Sequence, residues 1–541
     1  MPRQVAMIST DNPSAAALSD RESNTRGWAA PLLLSLAQLS LALPYLTTVP
    51  RVYNDEAWEA SLGKELATNG SLRHGIIEGW GGMHVHFVQN QVVMPFFLAP
   101  IYRLVGCTIG TSRSASVLIS VIAVLCIYGA MRLLYGRRAA FWIALCAIAH
   151  PWFFEISRRV RPEIYYVAFG FAGLWCLLCA MGINAGNRKT TGMYEANGAT
   201  RKRPMAWALL AGVLAGLAAL THPTGLVLVI ALGGGVLIAF GWRASRRPIA
   251  AALIGGGAAI LPYVVYVLWA ARDPQVNFLQ QMTGHRETPV GVGWTQFMFD
   301  ELYRWRHFFQ WPRGAPLAGL FVSAWSVAWL RPDRSDKLFA TAIVLFALAM
   351  PLTTVNNTSR YLIALTPMFA ALLVRMLVRM RGLGRVRVRY AVVLLAIGYG
   401  LCCAGGIGMM FARLRHADAT RVFDRVAAVT GPDARVFGRM LLWFGGDRYQ
   451  YGPFPINHRW RVQANAVRRH RFDYAVRSAW DFNSSGGLAV PPEAMPPFRP
   501  NDDIDPICKR FGERIAAFRD PDFGPFEIYR LHWDRATNTS D

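Results

Sequence analysis

The sequence predicts a polytopic α-helical membrane protein with about eleven transmembrane helices, followed by a small soluble α/β domain. Three observations carry this. Charged residues make up 17% of the chain and hydrophobic ones 53%, whereas soluble domains carry roughly 25% charged residues. Apolar runs near the length that crosses a bilayer, about 20 residues, recur from Trp28 to Phe411. From about Leu414 onward these runs stop, and acids and bases come close to balance.

The candidate spans lie at about 28–48, 114–134, 139–156, 163–183, 206–221, 224–241, 249–270, 314–330, 338–354, 361–378 and 390–411. Val92–Val105 is apolar but short and ends at Tyr102 and Arg103, which predicts a helix lying in the interface. Residues 1–27 are polar with no apolar centre, unlike a signal peptide, so they read as a cytoplasmic tail before a retained first span. Six of the eight cysteines, Cys126, Cys146, Cys176, Cys179, Cys402 and Cys403, fall inside apolar runs, which predicts packing and no disulfide framework.

The net charge of +24 falls in short clusters between the spans, which argues for membrane loops and against nucleic acid as a partner. With the N-terminus cytoplasmic, the inner loops hold Arg132, Arg137 and Arg138, then Arg188 to Arg203, then Arg243, Arg246 and Arg247. Arg331, Arg334 and Lys337 follow, and the last inner loop reads "VRMRGLGRVRVR". Every inner loop is basic, so the assignment obeys the positive-inside rule. The expected organisation is a tail at 1–27, a transmembrane domain at 28–411 with outer loops 48–113 and 271–313, and a periplasmic domain at 412–541. In that last domain "RVFDRVAAV" reads as a helix, and "RFDYAV" and "PFEIYRL" as strands.

Chemistry is expected on the outer side. The first outer loop opens with "VYNDEAWEA", where Asp55 and Glu56 begin an amphipathic stretch. Acids favour a first helical turn on dipole grounds alone. A carboxylate at a lipid surface is also placed to act as a general base on an attacking hydroxyl. Facing the pair are basic groups where positive charge is disfavoured: Arg158, Arg159 and Arg161 in "EISRRVRPEIYY", His285 and Arg286 in "GHRET", and Arg360 with Tyr361 in "SRYLIALTP". His222 joins them at the end of span five. Arginines at helix ends also snorkel to headgroups. As a set opposite an acidic loop, they suit a lipid-borne phosphate, which arginine grips with paired charged hydrogen bonds.

"NDEAWEA", "RRVRPEI", "LAGLAALTHPTGL" and "SRYLIALTPM" occur in this order across residues 28–411. With the topology, they resemble the bacterial relatives of protein O-mannosyltransferases, including the aminoarabinose transferases that modify lipid A. The resemblance implies a GT-C fold and a polyprenyl-phosphate-linked sugar as donor. It implies Asp55 as catalytic base and Glu56 as its positioning neighbour. Arg161 and Glu163 match charged positions before span four, His222 stands where many members have lysine, and Arg360 with Tyr361 matches a pair near the donor phosphate. Where relatives carry a proline pair, this chain reads "GGMHVHFVQNQVVMP", and His84 or His86 there is either a phosphate contact or a surface residue. The family implies no cofactor; a divalent metal on His84 and His86 with Asp55 or Glu56 is a weaker reading, because H-x-H alone is a weak signal.

Three classes follow. The first is a glycosyltransferase of the bacterial inner membrane, transferring with inversion to a glycolipid, polysaccharide or protein at the outer face. A transporter is the second, although its charges belong near the midplanes of spans. The third is a non-catalytic partner in polysaccharide assembly, for which the acidic pair would be dispensable.

Overall fold

The computed structural model describes residues 28–183, 203–283, 305, 315–330, 333–353, 359–383, 386–452, 454–455, 467, 469–478 and 504–534. A helix lies over each of the eleven apolar runs. Among the described residues, seven helices are long and apolar enough to cross a membrane. An eighth span forms if α5 (Arg137–Ala149) and α6 (Pro151–Ser157) count as one, although they meet at a 71° bend. Pro151 explains the break, since its ring and missing N–H cannot continue the preceding helix. The first helix, α1 (Ala29–Ala42), is shorter than its run, and so is α12 (Ala315–Leu330).

The bundle is packed through small residues. Helices α8 (Arg203–Thr221) and α10 (Trp242–Ala270) cross so closely that a Cβ on Gly212 would lie 1.8 Å from the Ala252 carbonyl. A Cβ on Gly255 would lie 2.1 Å from that of Leu209, so glycine is required at both positions. The faces of α10 and α15 (Val386–Leu414) that leave the bundle are apolar, with Leu253, Ile254, Val265, Leu268, Leu394 and Leu401 exposed. In a bilayer such faces meet lipid at no cost.

One end of the bundle carries the polar architecture. Helix α2 (Asn54–Asn69) begins where the chain leaves α1 and is capped by Glu56, whose carboxylate accepts from the Tyr53 N–H at 3.0 Å. It stops at Gly70, whose φ of 66° suits a residue without a Cβ. The interfacial reading of Val92–Val105 corresponds to α3 (Val93–Val105), which packs along α2 and exposes Phe96, Phe97 and Leu104.

After Leu414 come a helix, α16 (Thr420–Thr430), and a five-stranded mixed sheet. In spatial order its strands are Gln450–Tyr451, Arg435–Gly438, Tyr474–Ser478, Gly524–Leu531 and Gly512–Asp520. The first three run parallel and the last two form an antiparallel hairpin beside them. This region shares its core with α2 and the loop that follows it. Trp58, Leu62, Ile76, Trp80 and Phe87 pack in one cluster with Phe437, Phe472, Ile507 and Phe511. Ile77–Glu78 pairs in parallel with Phe454–Pro455, and Asn54 Oδ1 accepts from the Leu441 N–H at 3.0 Å. The sheet therefore buttresses α2 directly.

Candidate active site

Two neighbouring carboxylates on the first turn of α2 have opposite environments. Glu56 is sealed. Arg113, from the first turns of α4 (Ile109–Tyr135), grips it with both arms, Nη2 to Oε1 at 2.7 Å and Nε to Oε2 at 2.8 Å. The Val160 N–H adds a third donor at 3.2 Å, and both side chains are 1% exposed or less. The remaining arm of Arg113 donates to the carbonyls of Leu46 and Pro50, each at 2.8 Å. Burial pushes the Glu56 carboxyl up, but Arg113, with help from Arg159 and the Val160 N–H, outweighs it and holds the group below the usual glutamate range. This pair clamps α2 to α4 and to the linker after α6.

Asp55 is open. Its carboxylate is 32% exposed and meets Arg161 at 2.5 Å from Nη1. Arg161 is itself buried and held from behind by Glu163, which is fully buried and bonded to Nη2 at 2.8 Å and Nε at 3.2 Å. Local sequence sets this up. Pro162 takes the first position of α7 (Pro162–Ala180), which fixes Arg161 as an extended cap and puts Glu163 in the first turn. Burial works against the Arg161 charge, but Glu163 and Asp55 outweigh it and fix the guanidinium as a cation.

An aromatic wall adjoins this network. His222 caps α9 (Pro223–Phe240), with Nδ1 accepting from the Thr224 N–H at 3.1 Å. Its ring lies 4.8 Å from that of Tyr361 and 6.1 Å from that of Tyr166. Tyr166 donates to the Tyr361 carbonyl at 3.3 Å, and Tyr361 contributes to the field at Arg161.

The structure thus brings together Asp55, Arg161, Glu163, Tyr361 and His222 of the predicted set. It sorts others out of it. Arg158 is fully buried, donates to the carbonyls of Leu41 and Pro44, and lies over the rings of Phe154 and Phe411, so it braces α1 against α15. Glu163, an anion with no solvent access, anchors Arg161 and cannot itself hold a phosphate. His86 packs edge-on against Trp269 at 4.7 Å. His84 is half-buried beside Glu78, Arg73 and Asp273, and burial lowers its basicity. Neither histidine belongs to the Asp55 network, and Glu56 is fully committed to Arg113. Among the described residues no group of three or more His, Cys, Asp or Glu side chains is arranged to hold a metal. The Arg360 side chain and all of Arg286 lie outside the described residues.

Sequence reasoning missed Arg113, Tyr166 and Glu59. Glu59 stands four residues after Asp55, hence on the same face of α2. That spacing was a readable signal. Arg113 was readable too, as a lone cation at the mouth of a long apolar run. Tyr166 sits inside an apolar stretch and gave none.

Comparison with known proteins gives the fold its class. Residues 90–269 match the family model described as dolichyl-phosphate-mannose-protein mannosyltransferase. The architecture is that of the GT-C membrane glycosyltransferases, and the chain is a multi-pass membrane protein of this fold. ArnT from Cupriavidus metallidurans, solved bound to undecaprenyl phosphate, superposes with a TM-score of 0.60 at 14% identity, covering 95% of this chain and 99% of that one. Its apo form gives 0.62 at 14% identity over 95% and 100% of the two chains. The oligosaccharyltransferase AglB from Archaeoglobus fulgidus, solved with an inhibitory peptide and a dolichol-phosphate, gives 0.53 at 13% identity over 94% and 75%. By sequence alone no curated protein matches.

Proposed function

We propose that this protein is a glycosyltransferase that moves a sugar from a polyprenyl-phosphate donor to an acceptor hydroxyl at the outer face of the bacterial inner membrane. The observation that carries this reading is Asp55: a carboxylate open to solvent, aimed by a buried arginine, at the loop end of an apolar bundle with the GT-C fold. The lipid-phosphate ligands named for ArnT and AglB and the mannosyltransferase match of residues 90–269 support the choice of donor.

In the proposed reaction Asp55 accepts the proton of the acceptor hydroxyl as its oxygen attacks the anomeric carbon. The bond from that carbon to the phosphate oxygen breaks, the configuration inverts, and polyprenyl phosphate leaves. General base catalysis of this kind contributes roughly 10²–10⁴-fold. Arg161 keeps the base in place, and Glu163 keeps Arg161 in place. His222 and Tyr361 form the side on which the donor phosphate is held, and fixed donors there stabilise the leaving charge. The reading needs no metal, so transfer should survive chelation by EDTA. Charged side chains of the described spans gather toward their ends, which counts against the transporter reading. The acceptor is a glycolipid, a polysaccharide or a protein.

The test is release of polyprenyl phosphate from labelled undecaprenyl-phosphate-linked mannose, arabinose and aminoarabinose in membranes holding the wild type or Asp55→Asn. Loss of release in a variant that elutes as a folded species supports the base assignment. Equal release by both would refute it.

A further inference from the structure

Glu59 has no part in the mechanism above, yet it is placed at its centre. Its side chain is 2% exposed, and Oε2 has no hydrogen-bond partner. It lies one helical turn after Asp55 on α2, within the field of Arg161, Glu163 and Asp55. Among the described residues, three carboxylates therefore gather at the Arg161 guanidinium, and two of them already occupy it. Tyr165 of α7 lies within the field of Glu59 as well, with its hydroxyl also buried. Among the described residues, Arg161 is the one cation whose field reaches Glu59. Arg113 of α4 is committed to Glu56, and Arg103 of α3 donates to the carbonyls of Leu66 and Ala67. Tyr102 of α3 donates to Ser112 at 2.7 Å.

Resting on the glycosyltransferase reading, we propose that Glu59 is a positioning residue: a neutral carboxylic acid whose proton keeps Arg161 on Asp55. Ionised, it would be a third anion competing for the same guanidinium, drawing Arg161 inward and releasing the base from its aim. Burial first, then Glu163 and Asp55, push its carboxyl up to about 8 against the opposing pull of Arg161. The neutral form therefore prevails at pH 7, and a rise in pH converts it.

Two measurements on the full-length protein in detergent test this with Glu59→Gln, the uncharged isostere. In the wild type the folded state keeps a proton that the unfolded chain loses above the ordinary glutamate value of 4.5. Stability from this group must then fall as pH rises from about 4.5 to about 8 and level off above. The melting temperature of the wild type should decline across that window relative to Glu59→Gln. In transfer assays with the undecaprenyl-phosphate-linked sugars, the wild-type rate should drop about tenfold by pH 9, as the neutral fraction shrinks about tenfold per unit. The ratio of the rates at pH 9 and pH 7 should be several-fold higher in Glu59→Gln. Melting curves that run parallel across pH would overturn the neutral-acid assignment, and rate profiles that coincide would overturn the positioning role. A wild type that transfers none of the sugars would sink the glycosyltransferase reading and the positioning role with it, while the melting comparison would still decide whether Glu59 is neutral.

Discussion

Helix α4 carries buried charge at both of its ends, and the two ends differ in balance. At its far end Tyr135 lies under Arg375, which with Arg379 faces Asp333 and Asp336: two guanidinium groups for two carboxylates. At its near end Arg113 closes on Glu56 in the same balanced way. Beside that pair, among the described residues, Asp55 and Glu163 both bind Arg161, and Glu59 lies in its field. Balanced clusters repay the cost of burying charge and lock helices together. An unbalanced one leaves a buried carboxylate, Glu59, uncompensated beside Asp55, which is in reach of solvent, and perturbed groups collect at functional sites. Charge balance separates scaffold from site more sharply here than burial does.

The contrast breaks most visibly at the balanced pairs. Arg113→Met strands Glu56 in the interior, and breaking a buried pair in this way costs about 3–5 kcal/mol; denaturant unfolding in detergent should show a loss of that order. At the far end, Arg375→Met should lower the melting temperature while the transfer rate per folded molecule stays at the wild-type value. A far-end variant that stays folded but transfers slowly would deny that this cluster is only scaffold. Arg161→Lys keeps a cation but cannot bridge Asp55 and Glu163 with a planar fork, so transfer should fall about 10- to 100-fold with little change in fold. The smallest effect belongs to the partly exposed contact of Glu78 with His470, which joins the first loop to the C-terminal region. Glu78→Gln there should cost less than about 1 kcal/mol in thermal unfolding.

Much of this was legible in the sequence because membrane helices announce themselves by composition. Each apolar run has a helix over it, and the family-like motifs "NDEAWEA", "RRVRPEI" and "LTHPTG" carried Asp55, Arg161 and His222 to one place. What failed was direction. Arg158 and Arg161 are three residues apart in an irregular linker after the bend at Pro151, and nothing in the linear spacing says that one turns under α15 and the other toward α2. His84 and His86 likewise sit in a loop whose path is set by α10 and by Gln281, which donates to the carbonyls of Gly81 and His86. The burial of Glu59 depends on α3 and α7 closing over α2, which is tertiary information. The sharing of one core between the first loop and the C-terminal sheet is another long-range fact that composition does not encode.

Asp55 and Glu56, adjacent in sequence, divide the work between chemistry and scaffold. The most direct test is a paired measurement of undecaprenyl phosphate release and thermal unfolding for Asp55→Asn and Glu56→Gln. Asp55→Asn should melt like the wild type but lose release by at least about 10²-fold, while Glu56→Gln should lose thermal stability first. A stable Glu56→Gln without release, beside an Asp55→Asn that still turns over, would contradict that division.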